Sequence, residues 1–276
     1  MTWSALRILP SDQERSRDAI VAALFTYGAQ AVVDDGPEVV THFPSDADLD
    51  AIRSAVRRAD SGASLTVAPI ADQDWSVAWR SGMRVHRVGA LSIAPPWLAA
   101  SLDPTKTIVI DPGMAFGTGD HASTRGVLRL LPQMLHAGDT VADLGAGSAV
   151  LGIAAAKLGA RRVYAIEMDG DAIENAEGNV RANGVHDCVH ILEGDAASLL
   201  PIVAPVQLVL ANIISSVLAE LLETIETSLS AGGRAILSGL LMTERDAFST
   251  LLTSHNWQIL DECNEGDWWT VAIAKM

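Results

Sequence analysis

Cysteine is scarce in this chain, basic charge is outnumbered, and no apolar run is long enough to cross a bilayer. Cys188 and Cys263 are the two cysteines. They lie far apart in sequence and in no C-x-x-C pattern, which excludes a disulfide framework and a cysteine-rich metal centre. They read as structural thiols of a reducing compartment, and no metal site is expected. Nineteen Lys and Arg stand against 34 Asp and Glu, a formal net charge of −15. A nucleic-acid footprint needs a basic face, so no direct one is expected. The acid excess keeps a chain soluble and also steers a basic partner toward it. Without a membrane-length run or a basic-then-apolar leader, the chain is expected in the cytoplasm, off the membrane.

What is present is core-forming residue. Of 276 residues 49% are hydrophobic, enough for one large domain or a large and a small one. Residues 1–70 read β-α-β-β-α-β, a small ferredoxin-like α+β unit. Its strands are expected at 3–9, 31–33, 39–43 and 65–70. Ser11 and Glu14 have capping-box spacing for the first helix, with Ile20, Leu24 and Phe25 as its apolar face. Gly28 closes that helix, and Asp35-Gly36-Pro37 signals a turn. The second helix, 46–58, puts Leu49, Ile52 and Val56 on one side. No catalytic cluster lies in this part. Residues 71–104 read as a linker. A helix is expected to begin in Asp72-Gln73-Asp74-Trp75-Ser76-Val77-Ala78-Trp79-Arg80, its two tryptophans one turn apart. Pro95-Pro96-Trp97 should be extended.

From 105 to 276 strands and helices alternate. A strand at 106–110 leads into a glycine loop, Asp111-Pro112-Gly113-Met114-Ala115-Phe116-Gly117-Thr118-Gly119-Asp120-His121, and a helix over 125–135. Then comes the organising stretch, Val141-Ala142-Asp143-Leu144-Gly145-Ala146-Gly147-Ser148. An apolar strand enters a glycine turn, and a small-residue helix follows over 153–158. Such a turn exposes bare backbone at a helix start. The next strand, 162–166, ends on Glu167, and an acid about 20 residues past such a turn can accept from ribose hydroxyls. A dinucleotide turn needs a third small residue, where Val150 stands. The turn instead resembles the first motif of S-adenosylmethionine-dependent methyltransferases, with Asp143 for the charged amino-acid end of that cofactor. Further strands are expected at 189–192, 206–210 and 234–238, helices at 171–182, 216–229 and 244–254, and a final antiparallel pair at 257–262 and 268–274. Asn183-Gly184 and Gly232-Gly233 should close helices. The pattern implies a doubly wound, mostly parallel sheet with ligands beyond the carboxyl ends of its strands, where Asp143, Glu167, Asp195 and Asn212 all fall.

The whole chain resembles the bacterial methyltransferases that modify the eleventh protein of the large ribosomal subunit. The match is carried by Asp72-Gln73-Asp74-Trp75 with Ala78-Trp79-Arg80, by the loop 111–119 with His121 and Thr124, by Asp143-Leu144-Gly145-Ala146-Gly147-Ser148, by Ala211-Asn212-Ile213, and by Glu265-Gly266-Asp267-Trp268. The resemblance implies a substrate-recognition domain (1–70), a linker (71–104) and a Rossmann-like class I methyltransferase domain (105–276). It implies S-adenosylmethionine as cofactor, a basic large-subunit ribosomal protein as substrate, and methylation of its lysine and N-terminal amines. By motif position Thr124, Gly145, Glu167 and Asn212 contact the cofactor, with Phe116, Gly117, Thr118 and Gly119 closing over it. Asp143, Gly147 and Asp195 complete the expected set, and Asn212 with His121 are the catalytic candidates. A monomer is expected. The family usually has glycine where Ala149 stands and often aspartate where Glu167 stands, and Asp120 and Ala122 flank His121 where other residues are common. Ala149 is the feature that leaves room for a rival, a catalytically silent ribosome-associated binding module on the same fold. Other rivals are a same-fold methyltransferase for another protein or small amine, and a nicotinamide oxidoreductase, which Val150 opposes.

Overall fold

Strand β1 (Trp3–Leu9) buries every second residue, Ser4, Leu6 and Ile8, the signature of a sheet with one wet face. The computed structural model describes residues 3–12, 15–29, 31–44, 46–70, 83–112, 117 and 119–275. The expected helix in 72–80, with Trp75 and Trp79, lies outside the described residues, as do Phe116, Thr118 and Glu14. The chain divides into two compact units, Met1–Met83 and Arg84–Met276.

In the first unit β1 is followed by α1 (Arg17–Thr26), β2 (Val32–Asp35), β3 (Glu38–Pro44), α2 (Leu49–Ala59) and β4 (Ser64–Ile70). The strands form an antiparallel sheet in the order β2-β3-β1-β4. This is the β-α-β-β-α-β connectivity read from the sequence. Leu6, Ile8, Ile20, Leu24, Val39, Phe43, Ile52 and Val56 make its core. Two details differ from expectation. Ser11 does not cap the first helix. Its amide and hydroxyl both donate to Asp60, at 2.8 and 2.6 Å, and α1 starts after Ser16 instead. Phe25 is half exposed, because Ile20 and Leu24 already fill the face toward the sheet.

The second unit opens with β5 (His86–Val88), β6 (Leu91–Ala94), the short helix α3 (Pro96–Ala99) and β7 (Thr107–Val109). These strands form a three-stranded sheet, β5-β6-β7, so residues 86–94 pair with the strand that follows 105. Pro96-Trp97 is not extended. Pro95 is, but Pro96 occupies the first helical position, where a missing N–H costs nothing.

There follow α4 (Ala122–Met134), β8 (Thr140–Leu144), α5 (Val150–Lys157), β9 (Arg162–Glu167), α6 (Gly170–Ala182), β10 (Val189–Glu193), α7 (Ala196–Val203), β11 (Val206–Asn212), α8 (Ser215–Ser228), β12 (Leu229–Leu241), α9 (Arg245–Ser254), β13 (Trp257–Glu265) and β14 (Trp268–Lys275). The seven-stranded sheet runs β10-β9-β8-β11-β12-β14-β13. It is parallel from β10 to β12, and β14 is antiparallel to both of its neighbours. This is the class I methyltransferase architecture. Strand β8 is buried along its whole length, as a central strand covered by helices on both faces must be. One core layer joins α4, α5 and α6 to the sheet through residues such as Leu131, Ile153 and Val180. The other joins α8 and α9 to it through Leu222, Ile225 and Phe248. Helix α7 had no counterpart in the sequence reading, and Gly232-Gly233 lies within β12 rather than closing α8. Both cysteines are free thiols. Among the described residues no helix is long and apolar enough to cross a membrane.

Helix α4 lies close against β14. A Cβ at Gly126 would come within 2.1 Å of the Thr270 hydroxyl, and Thr270 is 1% exposed with a stiff, branched side chain. Gly126→Ala should therefore cost about 1–3 kcal/mol through overpacking. The same change made on Thr270→Ala should cost measurably less, which urea unfolding of the two pairs of proteins would reveal.

Candidate functional site

The centre of the site is the turn between β8 and α5. Gly145, Gly147 and Ala149 take φ of 64°, 51° and 63°, so every second residue is left-handed. The turn is stitched to the end of the neighbouring strand. The amides of Gly145 and Ala146 donate to the Ile166 carbonyl at 2.9 and 3.1 Å, and the Gly147 amide donates to Glu167 Oε2 at 2.8 Å. Glu167 Oε1 accepts from the amides of Met168 and Asp169 at 2.8 and 3.0 Å. A carboxylate has about four acceptor positions, so three bonds fix Glu167 and leave one for a ligand.

A cavity of about 350 Å³ lies along this turn. Its wall includes the glycines Gly145 and Gly147, the acids Glu167, Asp195 and Glu220, Asn212, and the apolar residues Ile166, Met168, Ile213 and Val217. It lies outside the carboxyl ends of β8, β9, β10 and β11, the ligand position of an open α/β sheet. Of the residues singled out by sequence, Gly145, Gly147, Glu167, Asp195 and Asn212 meet here.

The other described candidates are not among the residues of this wall, and Phe116 and Thr118 lie outside the described residues. Asp143 is 1% exposed and is not in the wall. Its Oδ2 accepts from the Gly152 amide at 2.8 Å, and Oδ1 is buried without a hydrogen-bond partner among the described residues. Desolvation, against the Gly152 hydrogen bond and aided by the charge of Glu167, pushes its carboxyl up to about 8. Thr124 is fully buried, and its hydroxyl accepts from Asn212 Nδ2 at 3.2 Å. His121 is the N-cap of α4; its Nδ1 shares a 2.7 Å hydrogen bond with Ser123 Oγ, and its ring meets Trp268 edge-on at 4.6 Å. Gly117 and Gly119 are buried, with φ of 102° and 83°. The Gly117 carbonyl accepts from Ser148 Oγ at 2.8 Å, which fastens the glycine loop to the turn after β8.

Several contributors were not among the site residues expected from the sequence. Ile213, Val217 and Leu221 complete the apolar wall because β11 and α8 converge there. Ala196 and Ala197 line it at the start of α7, where Asp195 Oδ2 accepts from the amide and hydroxyl of Ser198 at 3.0 and 2.8 Å. The Asp195/Ser198 spacing was the available sign of that helix start. Asn179, 1% exposed, donates to the carbonyls of Asp111 and Ser148 and accepts from the Asp111 amide, tying α6 to both loops.

The residues present fit the nucleoside part of a cofactor with an amino-acid end, while Asp143, expected at that end, is not in the wall. The wall offers apolar surface for a base, a spare acceptor at Glu167 for ribose, and glycine backbone where a side chain would intrude. Val150 holds the third position of the turn and opposes a pyrophosphate.

Comparison with known proteins bears on the family and the fold. A family model described as ribosomal protein L11 methyltransferase (PrmA) matches residues 5–276. The ribosomal protein L11 methyltransferase of Enterococcus faecalis is 32% identical over 256 residues, covering 88% of this chain and 81% of that protein. That of Synechococcus sp. strain RCC307 is 37% identical over 209 residues, covering 74% of this chain and 69% of its own. The crystal structure of a ribosomal protein L11 methylase from Lactobacillus delbrueckii subsp. bulgaricus superposes with a TM-score of 0.64 at 28% identity, covering 70% of this chain and 99% of that one.

Two stability predictions follow from the turn. A left-handed non-glycine residue costs about 1–2 kcal/mol. Glycine at 149 would recover that, but would lose about 0.4–1 kcal/mol to the unfolded chain. It would lose a further ~0.8 kcal/mol with the buried methyl. Ala149→Gly should thus lie within about 1 kcal/mol of the unsubstituted protein, whereas Ala149→Val, branched at Cβ, should unfold at distinctly lower urea. For Asp143 the folded-state pKa is raised above the reference 3.8. Its contribution is complete below about pH 4 and is lost as pH rises through about 8. Asp143→Asn should flatten that decline, so the difference in unfolding midpoint between the two proteins should move in favour of the variant from pH 4 to pH 8.

Proposed function

The chain belongs to the ribosomal protein L11 methyltransferase family, and on that premise we propose that it moves methyl groups from S-adenosylmethionine to lysine and N-terminal amines of ribosomal protein L11. The observation that carries the reading is the convergence of the glycine turn, Glu167 and Asn212 on one cavity at the strand ends. Gly145, Gly147, Glu167 and Asp195 are the residues that hold the cofactor. When bound it supplies a methyl group on a cationic sulfur, already activated toward a nucleophile.

The chain's own task is alignment and dehydration. A lysine amine with a reference pKa near 10.4 must lose a proton, at about 4.6 kcal/mol near pH 7, whereas an N-terminal amine near 7.8 costs only about 1 kcal/mol. Burial of the amine in the apolar mouth near Ile213 favours its neutral form. Asn212 donates its amide nitrogen to Thr124, which leaves its side-chain oxygen as the acceptor end. That oxygen, or the backbone carbonyl beside it, accepts from the incoming amine and aims its lone pair. His121, one turn from Thr124 at the start of α4, is a secondary contact.

The net charge of −15 favours encounter with a basic polypeptide. Ala149, the departure from the family pattern that falls in the turn, adopts the left-handed conformation the turn needs. This supports an active enzyme over a silent binding module.

The test is transfer of labelled methyl from S-adenosylmethionine to purified ribosomal protein L11, with mass spectrometry of the product. Asn212→Ala should keep its unfolding midpoint and lose about 10²-fold or more in turnover. Near-normal turnover in that variant would remove Asn212 from the reaction, and absence of label with the unsubstituted protein would remove the substrate.

A further inference from the structure

Glu265, at the end of β13, takes two arginines of α4. Its Oε1 accepts from Arg125 Nε at 2.7 Å and lies 2.6 Å from Nη2, while Oε2 accepts from Arg129 Nη2 at 2.9 Å. The remaining nitrogen of Arg125, Nη1, donates to the main-chain carbonyl of Asp120 and, at 3.4 Å, to that of Gly119. One guanidinium is thus held on one edge by the β13–β14 hairpin and holds, on its other edge, the turn that enters α4. The turn has little slack. Gly119 is buried, and a Cβ there would come within 2.7 Å of Ile93. Three residues past Glu265, Trp268 packs on His121. The same first turn of α4 carries Thr124, the partner of Asn212 in the cavity wall.

The geometry points to Glu265 as a positioning residue for the donor site, acting through Arg125 to fix the first turn of α4 and, with it, Thr124 against Asn212. Glu265 is absent from the cavity wall. Its effect is transmitted by a planar fork whose nitrogens face in fixed directions, which lysine or glutamine cannot reproduce. Arg129 shares the carboxylate but has no contact with the turn among the hydrogen bonds of the described residues, so it separates hairpin attachment from positioning. The inference rests on the reading of the cavity as a methyl-donor site.

The experiment is calorimetric titration of S-adenosylmethionine into the full chain and its variants, with urea unfolding alongside. Glu265→Gln should raise the donor Kd about five- to tenfold, the scale of one lost charge-assisted contact. Its unfolding midpoint should stay near that of the parent, because the ion pair is partly exposed. Arg125→Gln should do the same, and the double variant should bind no more weakly than Arg125→Gln alone. Arg129→Gln should change Kd less than about twofold. An unchanged Kd in Glu265→Gln, multiplying effects in the double variant, or an equal loss in Arg129→Gln would each overturn the assignment. Absence of binding heat with the unsubstituted chain would instead overturn the donor reading itself.

Discussion

The structure depends on the stitching of one turn to one strand end. Without the bonds from Gly145, Ala146 and Gly147 to Ile166 and Glu167, three left-handed residues in five would have no reason to persist. Each such position is strained or entropically costly and is kept only where surroundings over-determine it. Glu167 is the economical part of the arrangement. One oxygen reaches across to Gly147, and the other gathers the amides that begin the next loop. The extra methylene relative to aspartate supplies that reach. The residue expected to hold a ribose is therefore first an internal clamp, and ligand binding uses what acceptor capacity remains.

The opposite side of the cavity is fixed by crowding rather than by stitching. Asn212 pairs in register with Ser238, and the Ile213 amide donates to the Ser238 carbonyl at 3.1 Å. Gly239, next along β12, has φ 84°, and a Cβ there would lie 2.3 Å from the Ile213 carbonyl oxygen. Only glycine lets β12 pass so close to the end of β11. Ser238 Oγ donates to the Ser123 carbonyl at 3.0 Å, so Thr270, 2.7 Å away, must donate to Ser238. This buried chain of hydroxyls joins β14, β12 and α4 with every proton assigned. It sets the depth of α4, and the arginine contacts at its exposed edge set the pitch of its first turn.

Much of this was legible from pattern. The alternation of strands and helices, the run of apolar residues in β8 and the placement of polar residues at strand ends gave the sheet and, in Gly145, Gly147, Glu167, Asp195 and Asn212, part of the cavity wall. What was not legible has physical causes. Helix α7 is eight residues long and carries Pro201, so its period never accumulates. Strands β5 and β6 are three and four residues long, below the length at which alternation can be read. Ser11 had the correct spacing for a cap, but Asp60, 49 residues away, offered a carboxylate that no local rule includes. Asp143 looked like a ligand contact because it precedes the glycine turn. A strand side chain alternates faces, however, and this one points under α5 to Gly152. The Arg125–Glu265 contact spans 140 positions, and only the Glu265-Gly266-Asp267-Trp268 resemblance hinted that the tail mattered.

The placement of the acids also bears on the chemistry proposed. Glu167 is occupied by three amides, Asp195 is occupied with Ser198, and Asp143 is sealed beneath α5. All three serve as acceptors for the chain's own donors, so none is a free general base poised over the acceptor nitrogen. On the proposed reading the neutral amine comes from the environment, by desolvation at the apolar mouth and by the positive charge of the donor, and Glu220 is the one further acid among the described residues of the wall. That cost is smaller for an N-terminal amine than for a lysine by the difference in their reference pKa values, about 3.5 kcal/mol near pH 7. A site built this way discriminates among amines by how completely each is buried and aimed. Thr124 and Asn212, which orient without exchanging protons, suit that task better than an added carboxylate would.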